Sequence, residues 1–395
     1  MHIDQQSDIN AVTAAPHKGV IALVGNLAWS IYNFRLPVIR ALHQAGYKIV
    51  VIAPVDESVS ALMHEPGIEF IGLQSFRRNS VSITASLGMI HEFKTVYEEL
   101  KPDVVIHYGV QANIWGNLGA WSAQIPSICV VTGLGYTFLH RGLIPFISRW
   151  LYRFSFLKTE KVVFENQEDL DLMVAKKMIH PAKTLRVPGC GIDTTFFSPL
   201  PKTELTDGPV FTLLGRLLYD KGLREFAEAA GRLRQSFPSA QCWVMGHLDD
   251  ENPAHIQRNE LIGWVQKGFI DYKGATDDVR PIIAQSDWIV LPSYREGLSK
   301  VLLEAMAMGK PLITTDTPGC KETVVPGKTG YIVPIKDAEA LYQTMLDCCT
   351  KDRENQHIMG MLGREKAIKE YDASIVGQLY LELITNIQRK TRAKQ

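Results

Sequence analysis

Residues 210–216 read Val-Phe-Thr-Leu-Leu-Gly-Arg, and residues 20–26 read Val-Ile-Ala-Leu-Val-Gly-Asn. Each is a short uncharged run that stops on glycine, and such a run reads as a strand buried on both faces of a parallel sheet. Outward from 20–26, the first series, strand candidates recur at 48–53, 69–71, 104–107, 127–131 and 161–165, separated by helical periodicity over 34–45, 83–100 and 113–124; the second series starts at 210–216. From the second they recur at 241–245, 270–272, 288–291, 311–314 and 330–333, again with helices between. This alternation predicts βα units. A looser segment, 188–209, separates the two series with Pro199, Pro201, Gly208 and Pro209, and beyond Asp337 the pattern is wholly helical. The expected fold is α/β: two Rossmann-like doubly wound domains facing a cleft, with C-terminal helices crossing back to the first domain. The expected boundaries are a disordered tail over 1–18, a first domain over 19–190, a linker over 191–208, a second domain over 209–373 and a returning helix over 374–395. In open α/β sheets ligands sit outside the carboxyl ends of the strands, so the cleft is the expected site.

The 395 residues carry 42 Lys plus Arg and 42 Asp plus Glu, so no global field draws the chain onto nucleic acid, and any such contact must be local. Apolar residues at 46% and charged residues at 21% exclude a disordered or fibrous chain. Cys129, Cys190, Cys242, Cys320, Cys348 and Cys349 form no Cys-x-x-Cys pair and are expected to be buried thiols in a reducing compartment. Residues 1–18 are polar and lack the cationic start and apolar core of a secretory signal, so secretion is not expected. No run approaches the roughly 18 to 20 uncharged apolar residues of a membrane-spanning helix.

Arg216 and Lys221 flank the turn 217–220 directly after a strand. Two cations there suit a diphosphate: Arg supplies a planar fork and Lys a point charge, together neutralising a nucleoside diphosphate leaving group without metal. Two solvated loop cations would have the same sequence. Ser293-Tyr294-Arg295-Glu296-Gly297-Leu298-Ser299-Lys300 follows another strand and opens a helix ending near Gly309. At the helical rise, Glu296 and Glu304 stand roughly 12 Å apart on one side, a span that fits a sugar nucleotide. One carboxylate then takes hydroxyls of the transferred sugar and the other the ribose, while N–H groups near Leu298 and Ser299 face the phosphates between them. Glu304 lies in an otherwise apolar run, 301–308, which argues against a solvated position. The alternatives are a helix acid favoured by the macrodipole at Glu304 and a loop acid paired with Arg295 or Lys300 at Glu296.

Gly25 and Gly215 each let backbone approach a ligand, or merely serve a tight turn. His107 ends a strand aimed at the same cleft, a place where histidines also serve structurally. Thr132-Gly133-Leu134-Gly135-Tyr136 lacks the third glycine of a dinucleotide fingerprint, so NAD is not expected. Asp169-Leu170-Asp171 falls in a helical pattern and Asp249-Asp250 in a hydrophilic loop, so no bound metal is expected. No Gly-x-Ser-x-Gly elbow offers a hydrolase nucleophile.

The stretch 141–161, RGLIPFISRWLYRFSFLKTEK, holds five basic residues, one acid and a dense aromatic set. It suits an anionic membrane surface, or equally a helix whose aromatics are core and whose cations face solvent. Arg389-Lys390-Thr391-Arg392-Ala393-Lys394 either reinforces that contact or frays.

Gly215-Arg216 with Lys221-Gly222, and the frame Glu296-Gly-Leu-Ser-Lys-Val-Leu-Leu-Glu304-Ala-Met-Ala-Met-Gly-Lys-Pro, resemble glycosyltransferase family 4, retaining enzymes of the GT-B fold. Asn33-Phe34-Arg35-Leu36-Pro37, the 132–136 loop, 217–221 and Pro318-Gly319-Cys320-Lys321-Glu322 are similar to the branch that builds bacterial polysaccharides on polyprenyl diphosphate carriers, including bacillosaminyl-carrier N-acetylgalactosaminyltransferases. The resemblance implies a first domain that binds the acceptor and a second that binds the nucleotide sugar. It implies Arg216 and Lys221 on the donor diphosphate, Glu304 on the ribose, Glu296 on the transferred sugar, His107 near the reacting sugar, and the Gly25 backbone against the donor. After His107 the chain reads Tyr108-Gly109-Val110-Gln111, departing from a lysine that the branch often carries there. The family needs no metal or cofactor; its donor here is expected to be a UDP-sugar, with a GDP-sugar second, and its acceptor a polyprenyl-diphosphate-linked saccharide at the cytoplasmic face of the membrane. A GT-B epimerase and a non-catalytic membrane partner of another transferase are the alternatives.

Overall fold

The computed structural model describes residues 17–76, 83–134, 143–203, 206–249, 252 and 254–393. The expected tail up to residue 16, together with Gly135, Tyr136, Arg141, Gly142 and Asp250, lies outside them. The first domain is a seven-stranded parallel sheet of β1 (Val20–Val24), β2 (Lys48–Pro54), β3 (Ile68–Leu73), β4 (Val104–Tyr108), β5 (Ser127–Val131), β6 (Lys161–Phe164) and β7 (Thr184–Arg186), in the order β3-β2-β1-β4-β5-β6-β7. Its helices are α1 (Ala28–Gln44), α2 (Val59–Met63), α3 (Ile83–Leu100), α4 (Asn117–Ser122), α5 (Leu143–Lys158) and α6 (Gln167–Ala175). The second is a six-stranded parallel sheet of β8 (Val210–Leu214), β9 (Gln241–Met245), β10 (Asp271–Tyr272), β11 (Trp288–Leu291), β12 (Leu312–Thr315) and β13 (Gly330–Val333), ordered β10-β9-β8-β11-β12-β13. It carries α7 (Leu223–Ser236), α8 (Arg258–Gln266), α9 (Arg280–Gln285), α10 (Lys300–Ala307), α11 (Ala338–Cys349) and α12 (Arg353–Tyr371), and α13 (Ala373–Arg392) ends the described chain.

This is the doubly wound pair expected from the sequence. Each sheet reverses its strand order beside the strand that opens it, between β1 and β4 and between β8 and β11, and that switch point opens a crevice at the strands' carboxyl ends. The two glycine-terminated runs are therefore the central strands, and apart from half-buried Val20 the residues of both strands are buried. Two local expectations change. The short strand β7 has no apolar run to announce it, and the helix expected over 113–124 begins as a π-helical turn, Ala112–Gly116, before continuing as α4.

The second domain returns to the first through α13, whose Val376, Tyr380, Leu383, Ile384 and Ile387 join the core formed with Ile31, Val38 and Leu42 of α1. Gly377 permits this, since a Cβ there would stand 2.5 Å from the Ala41 Cβ. Both crossings between domains are tied together: Ile192 N–H donates to Tyr371 O at 2.9 Å, and Ala373 N–H to Ile192 O at 2.9 Å. Five cysteines are buried, Cys349 is half-buried, and all six are free.

Candidate active site

The second domain's half of the cleft is built on β8. Its last residue leads into Gly215, which has φ of +142° and open space where a Cβ would stand, so backbone is exposed there to a close-approaching ligand. Arg216 follows, its side chain 47% exposed and paired only at the surface with Asp249 at 3.2 Å. A half-solvated pair of this kind holds little energy, which leaves the guanidinium recruitable by a stronger anion. Asp249, considered above as a metal ligand, is thus the Arg216 counter-ion.

A short 3₁₀ turn, Tyr219–Lys221, ends on Gly222 at φ of +73°. A Cβ on Gly222 would lie 2.0 Å from Pro292 O, so only glycine lets this turn press against the loop after β11. That contact brings Lys221 onto Glu296: Lys221 Nζ and Glu296 Oε1 form an ion pair, and Ser293 Oγ donates to the same oxygen at 2.8 Å. Lys221, expected on the diphosphate, and Glu296, expected on the sugar, therefore meet.

Glu304 is buried on α10, and burial raises its carboxyl above the usual carboxylate range although Lys300 Nζ stands 3.1 Å away. Ser299 precedes the helix, but its N–H already donates to Gly319 O at 3.0 Å. The sequence expectation of a free N–H at Ser299 is thereby corrected: the N–H groups without an intrahelical acceptor are those of Lys300, Val301 and Leu302, the first turn. Leu298 is buried and packs against Gly189, where a Cβ would come within 2.5 Å of its Cδ2; its side chain serves the domain junction.

In the first domain two expectations change. His107 is fully buried, its Nε2 2.9 Å from the Tyr97 hydroxyl, beneath Gly116 of the π turn. Burial pushes its pKa down to about 3, so it is a neutral core residue and does not face the cleft. Gly25 donates its N–H to Ile52 O at 3.1 Å, and a Cβ on it would stand 2.7 Å from Ile31 Cγ1, so packing of α1 on β1 accounts for the glycine. Arg35 is buried, its guanidinium 2.8 Å from Glu165 and 4.4 Å from the Tyr108 ring centroid, bracing the ends of β4 and β6.

Sequence reasoning did not assign roles to Ser293 or Asn166, and it paired Lys300 with Glu296 where the structure pairs it with Glu304. Asn166 had a local signal, because Asn166-x-x-Asp169 is a capping-box pattern at the start of α6. Among the described residues no group of three His, Cys, Asp or Glu is placed to hold a metal ion. The segment 143–158 is α5, which has a buried face and an exposed one. Tyr152 and Phe156 are core, while Phe146, Trp150 and Leu157 are 62%, 61% and 65% exposed with Arg153 among them. The basic end of α13 is helical through Arg392. Among the described residues no helix is long and apolar enough to cross a membrane.

Two family models match the chain, one described as glycosyl transferase 4-like over residues 20–166 and one as glycosyl transferases group 1 over residues 208–351. An N,N'-diacetylbacillosaminyl-diphospho-undecaprenol alpha-1,3-N-acetylgalactosaminyltransferase of Campylobacter jejuni is 28% identical over 93% of this chain and 98% of its own length. A UDP-Gal:alpha-D-GlcNAc-diphosphoundecaprenol alpha-1,3-galactosyltransferase of Escherichia coli is 24% identical over 78% of this chain and 82% of its own. Among solved structures, a glycosyltransferase from Rickettsia africae superposes with a TM-score of 0.76 at 20% identity, covering 94% of this chain and 98% of that one. Anabaena HepE in complex with UDP gives a TM-score of 0.76 at 16% identity, covering 93% and 100%.

Proposed function

The chain belongs to the glycosyltransferases, with a 4-like amino-terminal domain and a group 1 carboxyl-terminal domain, and from that membership we propose that it moves a hexose or N-acetylhexosamine from a UDP-sugar to a polyprenyl-diphosphate-linked saccharide, with retention and without a metal. The observation that carries the reading is the Lys221–Glu296 ion pair in the loop leading to α10, with Arg216 near enough that both cations act on Asp220 in the turn between them. The cations neutralise the departing diphosphate, the first-turn N–H groups face its oxygens, Glu304 accepts from the ribose, and Glu296 accepts from the transferred sugar. The anomeric carbon's bond to the diphosphate oxygen breaks as the acceptor hydroxyl oxygen bonds to the same face. The hydroxyl proton passes to the leaving oxygen, so no protein base is required, in keeping with a buried neutral His107. The names of the two relatives support a lipid-linked acceptor, and HepE's complex supports UDP.

The exposed stripe Phe146, Trp150, Arg153 and Leu157 of α5 supports peripheral seating on an anionic membrane, where such an acceptor resides. The deciding experiment is calorimetric titration of UDP and GDP, with and without chelator, into wild type and Arg216→Ala, followed by incubation of UDP-N-acetylgalactosamine or UDP-galactose with undecaprenyl-diphosphate-linked saccharide. Chelator-insensitive UDP binding that weakens at least about tenfold in Arg216→Ala, about 1.4 kcal/mol, together with sugar transfer, is the expected result. Conversion of the donor without acceptor would point to an epimerase instead, and failure of any nucleotide to bind would leave a non-catalytic partner.

A further inference from the structure

The start of α6 leans across the cleft onto the loop that carries Glu296. Asn166 is its N-cap: its Oδ1 accepts from Asp169 N–H at 2.8 Å, and Asp169 Oδ2 in turn accepts from Asn166 Nδ2 at 3.1 Å. A capping box on a surface helix faces water, whereas here the Asp169 side chain is only 1% exposed. Its remaining acceptor capacity is taken by Leu134 N–H at 3.1 Å and by the guanidinium of Arg295, the residue before Glu296. Asn166 Nδ2 also donates to the carbonyl of Gly297, the residue after Glu296, at 2.8 Å. Glu296 is thus held on both sides by bonds to the opposite domain, and an exposed Lys321–Glu168 pair lies alongside.

The backbones at this contact admit no side chains. A Cβ on Gly297 would stand 1.9 Å from Thr132 O and 3.1 Å from Glu165 Oε2, and one on Gly133 would stand 3.1 Å from Gly297 N. Glycine at both positions is what lets Arg295 reach Asp169. Were the domains to part, both charges would lose their partner and would have to be hydrated separately, so the contact favours the closed arrangement.

We infer that the Asn166–Asp169 capping box is a latch between the domains, and that Asn166, Asp169 and Arg295 are positioning residues that set Glu296 against the transferred sugar. The inference rests on the role proposed above for Glu296. Arg216, Lys221 and Glu304, which would hold the nucleotide, belong to the second domain and make no contact in the latch, so nucleotide affinity and turnover separate. In Arg295→Ala the expected results are UDP affinity within about twofold of wild type, transfer turnover lowered by about tenfold or more, and a larger radius of gyration by small-angle X-ray scattering with UDP present. The double variant Asp169→Asn/Arg295→Met removes both charges and is expected to turn over no worse than the single variant, because no unpaired buried charge remains. Wild-type turnover and scattering in Arg295→Ala would overturn the inference, as would a turnover loss matched by lost UDP affinity. Should wild type fail to bind UDP, or Glu296→Gln keep full turnover, the proposed function fails instead, while the scattering comparison still decides whether the latch holds the domains together.

Discussion

Acidification probes the one strongly perturbed histidine in the described structure. An unfolded histidine titrates near 6.5, whereas His107, buried against Tyr97, titrates at about 3. Below neutrality the unfolded chain takes up a proton that the folded one refuses, so stability is fully present above about pH 6.5 and falls by about 1.4 kcal/mol per unit until about pH 3. Between neutrality and about pH 5 that amounts to about 2 kcal/mol from this single group. The comparison is urea unfolding of wild type and His107→Gln at about pH 7.5 and about pH 5, because the amide can still meet the Tyr97 hydroxyl and stays neutral. Other titrating groups are common to both proteins and cancel. Wild type is expected to lose about 2 kcal/mol more than the variant on acidification. An equal loss in both would show that His107 takes up its proton in the fold, and its reading as a neutral core residue would be wrong.

Glu304 has the opposite sign. Its raised pKa makes protonation easier in the fold, so UDP affinity is expected to decline on mild acidification, where an exposed glutamate is still charged, because the protonated acid is a weaker, uncharged acceptor for the ribose hydroxyls and turns one of its oxygens into a donor. Glu304→Gln should bind UDP more weakly at neutral pH and lack this component; identical pH profiles in calorimetry would exclude the ribose contact. For the α5 stripe, Phe146→Ser/Trp150→Ser is expected to lower partitioning onto phosphatidylglycerol vesicles by about tenfold or more while leaving UDP binding intact. Unchanged co-sedimentation would remove α5 from the membrane contact.

The amino-acid sequence by itself determined the two doubly wound sheets, because short uncharged runs ending in glycine read as strands buried on both faces, and helical periodicity between such runs leaves a parallel sheet as the packing solution. It also placed Arg216, Lys221, Glu296 and Glu304, since their spacing relative to a strand end and a helix start is local. What it could not hold is what those residues touch. The Lys221–Glu296 pair depends on Gly222 tucking under Pro292, and these come from different crossovers of the sheet. His107 lies one residue from the end of β4, close to where the sequence expects it, but the π turn over Ala112–Gly116 covers it, a choice made by packing of buried Asn113 and Gly116 against the strands and not by any periodicity. The hold of Asn166 and Asp169 on either side of Glu296 joins residues more than a hundred positions apart. Only docking of the two domains brings them within hydrogen-bonding reach, because the bonds are directional and short-ranged and local sequence carries no record of which surface will arrive.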